Sequence, residues 1–101
     1  MIRMSYSVLT SIFGDSVQVK LIEFFIVNDT GMFNLTSIAK ELDISHSRVH
    51  DLIDDLVENR FIFETRSKRI RLFETNTKHP INKKLTELYK LTKAYNVARE
   101  L

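Results

Sequence analysis

The chain has 101 residues, of which 44% are hydrophobic and seven are Phe, so it is large enough for one globular domain and too short for two ordinary ones. It contains no Cys, which excludes disulfides and thiolate metal sites and fits a reducing compartment. Its longest uninterrupted apolar run, residues 24–27, is far too short to span a membrane, and its first residues lack the pattern of a signal peptide. We therefore expect a cytoplasmic protein with no membrane partner.

Charge is distributed unevenly along the chain, although the formal net charge is only +2. Residues 15–59 contain three basic and nine acidic side chains, a net charge of −6. Residues 60–93 contain ten basic and three acidic side chains, a net charge of +7. A basic sector of this kind is expected of a face that binds phosphate groups, although a solvated Lys-rich surface would have the same composition.

The pattern divides the chain into three parts. Residues 1–13 fit neither a helix nor a strand clearly, so a helix, an arm exchanged between subunits and a partly ordered leader all stay open. Residues 14–76 have the periodicity of a packed domain, and residues 77–101 are predicted to form a C-terminal helix.

The first long helix is predicted over residues 17–27, which are apolar enough to be largely buried. Asp15 or Ser16 would cap its N-terminus, because both side chains can accept a hydrogen bond from a first-turn N–H group. Lys20 and Glu23 are expected to mark its exposed side.

Two more helices are predicted close together. Residues 32–34 could form a brief strand, and Thr36 would then precede a short helix over residues 37–42. Ser45 is a good N-cap for a helix that ends at Glu58. The apolar face of this second helix is formed by Val49, Leu52, Ile53, Leu56 and Val57.

Residues 61–66 and 69–74 are rich in aromatic and β-branched side chains, and the second segment alternates basic with apolar residues. This pattern predicts a β-hairpin. No Gly or Asn stands between the two segments, which disfavours a tight type I′ turn, so we expect a longer loop from Arg66 to Arg69.

Pro80 suits the first turn of a C-terminal helix that would run to Arg99. An apolar stripe along this helix must be covered either by its own domain or by the same helix of a second subunit. The second possibility predicts a homodimer. The stripe comprises Ile81, Leu85, Leu88, Leu91, Tyr95 and Ala98.

The order of these elements resembles a winged helix-turn-helix domain of the prokaryotic transcription-regulator type. The residues that carry the resemblance are Leu35, Ile38, Ala39, Leu42, Ile44, Ser45, Val49, Leu52 and Leu56, followed by Arg60-Phe61-Ile62. The segment FGDSVQVKLIEFF and the Pro80 helix look most similar to small archaeal winged-helix regulators. The implied fold class is mainly α with a small β-hairpin (α+β), a winged helix-turn-helix with an additional C-terminal helix.

Two positions depart from the usual pattern of this family. Asp43 stands where Gly is common in the turn between the two helices, at a positive φ that Asp tolerates better than most residues. Asn59-Arg60 stands where Gly often precedes the wing, and we expect Asn59 to act as the left-handed cap instead.

The resemblance implies sequence-specific binding of double-stranded DNA, with the helix over residues 45–58 in the major groove. The residues near its start that would reach the DNA are Ser45, His46, Ser47, Arg48, His50 and Asp51. Arg48 is the long donor among them and would bind guanine bidentately or contact a phosphate. The basic hairpin would contact the backbone or the minor groove through Arg66, Lys68, Arg69 and Arg71.

The acidic side chains of the same helix favour an alternative. Asp51, Asp54, Asp55 and Glu58 are unusual in a helix that reads DNA, so a winged-helix protein–protein interaction module with a basic partner stays open. In that case substitution of the basic hairpin residues would leave partner binding intact.

His46 and His50 have the spacing of a helical metal pair, but no third ligand is within reach, so we expect neither a metal nor a cofactor. Because His commonly changes charge between about pH 5 and 8, the pair predicts tighter DNA binding at about pH 5.5 than at about pH 8. The chain has no nucleophile–base pair or phosphate loop, so no enzyme is expected. A nucleoid-associated location follows from the DNA-binding hypothesis, and the pattern identifies no small-molecule effector.

Overall fold

The computed structural model describes residues 6–100, and within this range the predicted order of elements is confirmed. The three strands form one antiparallel sheet with the second strand of the hairpin in the middle, in which Phe33 pairs with Phe73 and Thr65 with Leu72. The elements are α1 (Thr10–Phe13), α2 (Val17–Val27), β1 (Met32–Phe33), α3 (Leu35–Leu42), α4 (His46–Glu58), β2 (Ile62–Ser67), β3 (Ile70–Thr75) and α5 (Pro80–Arg99).

One hydrophobic core joins the helices to the inner face of the sheet. Thr75 adds a long-range hydrogen bond at its edge, because its hydroxyl donates to the Phe25 carbonyl oxygen over 2.6 Å. The fully buried side chains of this core include Leu21, Ile38, Val49, Ile53, Ile62 and Phe73. The core therefore fixes α4 and the wing strands to the same scaffold.

Helix α2 has the predicted bounds, and the Ser16 hydroxyl caps it by accepting from the Val19 N–H over 3.1 Å. The prediction that Glu23 lies on its exposed side is wrong, because Glu23 is only 1% exposed. Its carboxylate accepts hydrogen bonds from the backbone N–H groups of Leu9 (2.6 Å) and Val8 (3.3 Å). These donors replace water around the buried carboxylate and fasten the N-terminal segment to α2.

The described part of the N-terminal segment packs on its own domain. Tyr6 is 6% exposed; its hydroxyl donates to Glu41 Oε1 and accepts from Asn28 Nδ2, both over 3.2 Å. Burial raises the pKa of the Tyr6 hydroxyl. Leu9 is also buried, and α1 follows it directly. Residues 1–5 of the predicted leader lie outside the described residues.

Helix α3 begins at Leu35, so the predicted start after Thr36 is wrong. Asn34 is the cap: its side-chain oxygen accepts from the Ser37 N–H over 2.8 Å. Asn is the stronger N-cap of the two residues, which explains the earlier start. In the turn that follows, Asp43 has φ 55° and ψ 48°, so the left-handed position predicted there is confirmed.

Helix α4 ends at Glu58 as predicted, but the left-handed residue that follows it is one position later than predicted. Asn59 has φ −83°, whereas Arg60 has φ 62°, so Arg60 rather than Asn59 is the left-handed residue. The Phe61 N–H donates to the Leu56 carbonyl and the Arg60 N–H to the Val57 carbonyl, each over 3.0 Å. This is the Schellman pattern, which places the left-handed residue one position beyond the C-cap.

The wing, defined here as β2, β3 and their connection, has a shorter loop than predicted. Ser67 pairs with Ile70, so only Lys68 and Arg69 form the connection, and the predicted loop from Arg66 to Arg69 is wrong. Lys68 has φ 58°, and of the two loop residues it alone has a positive φ. A positive φ at the first central residue is the type II′ pattern, whose twist matches that of the flanking strands.

Helix α5 begins at Pro80 as predicted, and its first turn is tied to both ends of the wing. The His79 Nδ1 atom accepts from the Ile81 N–H over 3.1 Å. Asn82 is 5% exposed, and its amide donates to the carbonyl oxygens of Phe61 (2.8 Å) and Asn76 (3.0 Å). No helix within residues 6–100 is long and apolar enough to cross a membrane.

Candidate nucleic-acid interface

The polar start of α4 projects from the domain, because Val49 and Ile53 turn the opposite side of the helix into the core. Ser45 is already engaged as the cap, since its hydroxyl accepts from the Arg48 N–H over 3.2 Å. All of the predicted contact residues on this helix are exposed: Ser45, His46, Ser47, Arg48, His50 and Asp51.

A cleft brings the start of α4 together with the start of α3 and with the wing. Thr36, in the first turn of α3, was not predicted as a site residue; the signal lay in Asn34, whose capping strength places the start of α3 at this cleft. A helix N-terminus adds partial positive charge to such a surface. The lining residues are Asn34, Leu35, Thr36, His46, Arg69, Ile70 and Arg71.

The wing tip, defined as Lys68 and Arg69, is exposed. Within residues 6–100 neither side chain forms an ion pair with a carboxylate. The two charges are therefore available to an anionic partner, and Arg69 lines the cleft together with His46 at the start of α4.

Arg71 has different surroundings, although it was predicted alongside the wing tip. Its Nη2 atom lies 2.6 Å from Asp54 Oδ1 and 2.9 Å from Glu64 Oε1, and its Nε atom lies 3.0 Å from Glu64 Oε2. The guanidinium carbon is 5.1 Å from the centroid of the Phe73 ring. The side chain is only 17% exposed, against 70% for Arg66. We call Arg71, Asp54 and Glu64 the Arg71 cluster.

The charges of this cluster reinforce one another. The hydrogen bonds from Arg71 lower the pKa of both Asp54 and Glu64 below their ordinary values. The same bonds raise the pKa of the Arg71 guanidinium, so the cluster stays fully ionised at neutral pH. Asp54 is thus not a simple solvated acid of α4, because its charge is compensated by the wing.

Strand register explains why the cluster forms. Arg66 and Arg71 are directly opposite each other in the hairpin, which would be unfavourable for two like charges. Glu64, two positions before Arg66, shares its face of the sheet and accepts from the Nε atoms of both arginines, at 3.2 Å and 3.0 Å. The sequence already placed Glu64 and Arg66 on one face of β2. The predicted loop from Arg66 to Arg69, however, left Arg66 outside the strand and hid its pairing with Arg71.

The two histidines lie at the exposed start of α4. No group of three His, Asp or Glu side chains among residues 6–100 is arranged to hold a metal ion. The Nδ1 atom of His50 lies 4.0 Å from Asp51 Oδ1, and His46 lines the cleft beside Arg69. The pH dependence expected from this pair stays a prediction.

Several solved structures have this fold with little sequence in common. A TubR mutant of type III plasmid segregation aligns with a TM-score of 0.63 at 16% identity, over 93% of this chain and 98% of that chain. A protein described as a possible transcriptional regulator from Methanosarcina mazei Go1 aligns with a TM-score of 0.61 at 12% identity, over 93% and 82%. The adhesin competence repressor AdcR from Streptococcus pyogenes gives 0.62 at 18% identity, over 93% and 72%.

At these identities the likeness establishes the fold and nothing further. The predicted fold class is confirmed: the chain is mainly α, with a small three-stranded antiparallel sheet and a C-terminal helix, and it shares this fold with these solved structures. The resemblance to archaeal members stays a prediction. No protein-family model and no curated protein sequence matches the chain.

Proposed function

We propose that this protein binds specific sequences in double-stranded DNA as a homodimeric transcriptional regulator, with a cytoplasmic, nucleoid-associated location. The observation that carries the proposal is the cleft that joins the polar start of α4 to the unpaired charges of the wing tip. The confirmed fold supports it, because the solved structures that share the fold include a repressor and a possible transcriptional regulator.

In this proposal the start of α4 enters the major groove. His46, Ser47, Arg48, His50 and Asp51 contact base edges or nearby phosphates, while Ser45 holds the first turn of the helix. Arg48 has no carboxylate partner within the described part of the chain, so its guanidinium is free for a guanine or a phosphate.

Lys68 and Arg69 supply most of the affinity by contacting the phosphate backbone or entering the minor groove. Arg66, which is 70% exposed, adds a weaker contact because Glu64 shares its charge. Thr36 lies across the cleft and offers a hydroxyl to the same backbone. Asp55 and Glu58 are exposed in the later turns of α4, away from the groove-reading half.

The dimer would be formed by α5. Its stripe is covered only in part by the domain: Leu85 and Leu88 are half-buried, whereas Ile81, Leu91 and Tyr95 are 52%, 69% and 65% exposed, and Ala98 is also exposed. Apolar side chains at this spacing suit a helix of a second subunit. Light scattering should give twice the 11.9 kDa mass of the chain, and Leu91→Asp should return the monomer. A wild-type protein of 11.9 kDa at working concentration would contradict the dimer.

DNA binding is tested by a salt titration on labelled genomic fragments. Replacing both Lys68 and Arg69 by Ala should lower the salt dependence of log Kd by about two units per subunit, and by about twice that for the dimer, because each phosphate contact contributes about 0.9. The matched control replaces Lys83 and Lys90 of α5, which are equally exposed but distant from the cleft. An equal decrease of the salt slope in the two double variants would contradict the proposed interface. Equal affinity of the wild-type protein for genomic fragments and for random DNA would contradict sequence specificity.

A second candidate is a winged-helix module that binds a basic protein partner. The exposed acids Asp51, Asp55 and Glu58 favour it. The same variants separate the two functions, because loss of the wing-tip charges would leave binding of a basic partner intact.

A further inference from the structure

We infer that Arg71 is a positioning residue that locks the wing to the recognition helix α4 and neutralises Asp54, instead of contacting DNA. This inference rests on the proposed DNA-binding function, and it assigns Asp54 and Glu64 a part in that function. It also separates Arg71 from the other basic residues of the wing.

The Arg71 cluster connects three elements. Asp54 belongs to α4, Glu64 to β2 and Arg71 to β3, and the bond to Asp54 joins residues 17 positions apart in the chain. Among residues 6–100 the pair between Arg71 and Asp54 is the one ion pair that links α4 to the wing. Backbone pairing fixes β2 to β3 and the shared core packs the hairpin on α4, so this contact adds a polar link from the hairpin to the helix.

Arg71 lines the cleft, but it is less available to a phosphate than the residues of the wing tip. Its Nε and Nη2 atoms are both bound to carboxylate oxygens, and the guanidinium lies against the Phe73 ring. Its side chain is 17% exposed. A bond to DNA through these atoms would require Arg71 to leave two carboxylates, one of which, Glu64, is only 16% exposed. That exchange would strand a partly buried acid without a partner.

The position of Asp54 gives the cluster its functional meaning. Asp54 lies two turns after His46, on the same side of α4 as His50, whose proximity also favours the ionised carboxylate. An uncompensated negative charge at this position would repel the approaching backbone. Arg71 removes that repulsion and at the same time sets the distance between the wing tip and the start of α4.

Two interpretations of Arg71 predict opposite effects of one conservative substitution. If Arg71 contacts DNA, Asp54→Asn removes a repulsive acid and frees the guanidinium, so binding becomes tighter. If Arg71 positions the wing, Asp54→Asn breaks the link and binding becomes weaker. Asp54 is 59% exposed, so the substitution is tolerated by the fold.

The experiment measures DNA affinity and its salt dependence for Arg71→Met, Asp54→Asn and their double variant. We expect each single variant to bind about 3- to 30-fold more weakly, the double variant to bind about as weakly as either single variant, and the salt slope to stay unchanged. Asp55→Asn is the matched acidic control, since Asp55 is exposed and forms no ion pair among residues 6–100, and it should not weaken binding. Arg69→Met is the contact control and should lower the slope by about 0.9 per subunit.

Tighter binding by Asp54→Asn, together with a lower salt slope for Arg71→Met, would overturn the inference and make Arg71 a DNA contact. Absence of DNA binding by the wild-type protein would overturn the proposed function instead. In that event urea unfolding of the same four proteins still decides the link: non-additive losses of stability support it, and additive losses overturn it.

Discussion

Two arginines of the wing, Arg69 and Arg71, are only two positions apart in the sequence but have opposite surroundings. Arg69 at the tip is exposed and without a carboxylate partner in the described chain, whereas Arg71 is held between Asp54 and Glu64. The difference shows that a run of basic residues contains two kinds of charge: one available to a partner, and one used within the fold. Strand pairing decides which is which. It places Arg71 opposite Arg66, where Glu64 accepts from both guanidinium groups, whereas Arg69 lies in the loop beyond the paired strands.

The largest expected difference between Arg71 and Arg69 is in their contribution to the free energy of unfolding. We expect Arg71→Met to lower the free energy of unfolding by about 1–3 kcal/mol, since it leaves Glu64 partly buried without a partner. The value is below that of a fully buried pair because Asp54 is 59% exposed and its share is screened by water. Arg69→Met should change stability by less than about 0.5 kcal/mol. Urea unfolding monitored by circular dichroism measures both, and equal effects at the two positions would remove the distinction.

The same comparison has a pH dependence. Because Arg71 lowers the pKa of Asp54 and Glu64 in the folded protein, their contribution to stability is present above the unfolded pKa values, near pH 4, and is lost as the pH falls through the lower folded values. The stability difference between the wild-type protein and Arg71→Met should therefore be largest at neutral pH and should shrink below about pH 4.

Urea unfolding of both proteins at neutral and at acidic pH provides the measurement. The subtraction cancels the titration of the carboxylates that Arg71 does not touch. A difference that stays constant on acidification would show that Arg71 stabilises the wing by packing on Phe73 alone.

The smallest expected effect is at the tip itself. Lys68 adopts φ 58°, which costs an L-residue energy that Gly avoids. Lys68→Gly should raise the free energy of unfolding by about 0.5–1 kcal/mol. It should also lower the salt slope of DNA binding by about 0.9 per subunit, so stability rises while DNA affinity falls. Lys68→Ala is the control, since it removes the same charge and keeps the strain. A loss of stability in the Gly variant would contradict a strained turn.

Local signals were sufficient for the main helices. Ser16, Ser45 and Pro80 are capping or first-turn residues followed by apolar residues at helical spacing, so α2, α4 and α5 have the predicted bounds. The left-handed conformation of Asp43 could also be predicted, because Asp43 stands at a turn position where Gly is common and tolerates a positive φ better than most residues.

Features that depend on distant partners could not be predicted in this way. Glu23 looked like a surface acid because its two donors are backbone N–H groups 14 and 15 residues earlier, and a backbone donor leaves no mark in a sequence. Arg71 looked like a DNA contact because both of its carboxylate partners lie on other elements. The wing loop was predicted too long because Lys68 occupies a conformation usually given to Gly or Asn.

Asn82 connects the start of α5 to both ends of the wing. Its single amide group holds the carbonyl of Phe61, where the chain enters the wing, and that of Asn76, where the chain leaves it. The start of the long helix is therefore bound to both ends of the hairpin through one side chain, and we expect the two elements to move together. In a dimer formed through α5, a small rotation at the helix interface would cause a larger displacement of both wing tips. The packing of the two α5 helices would then determine the distance between the two half-sites that the dimer binds.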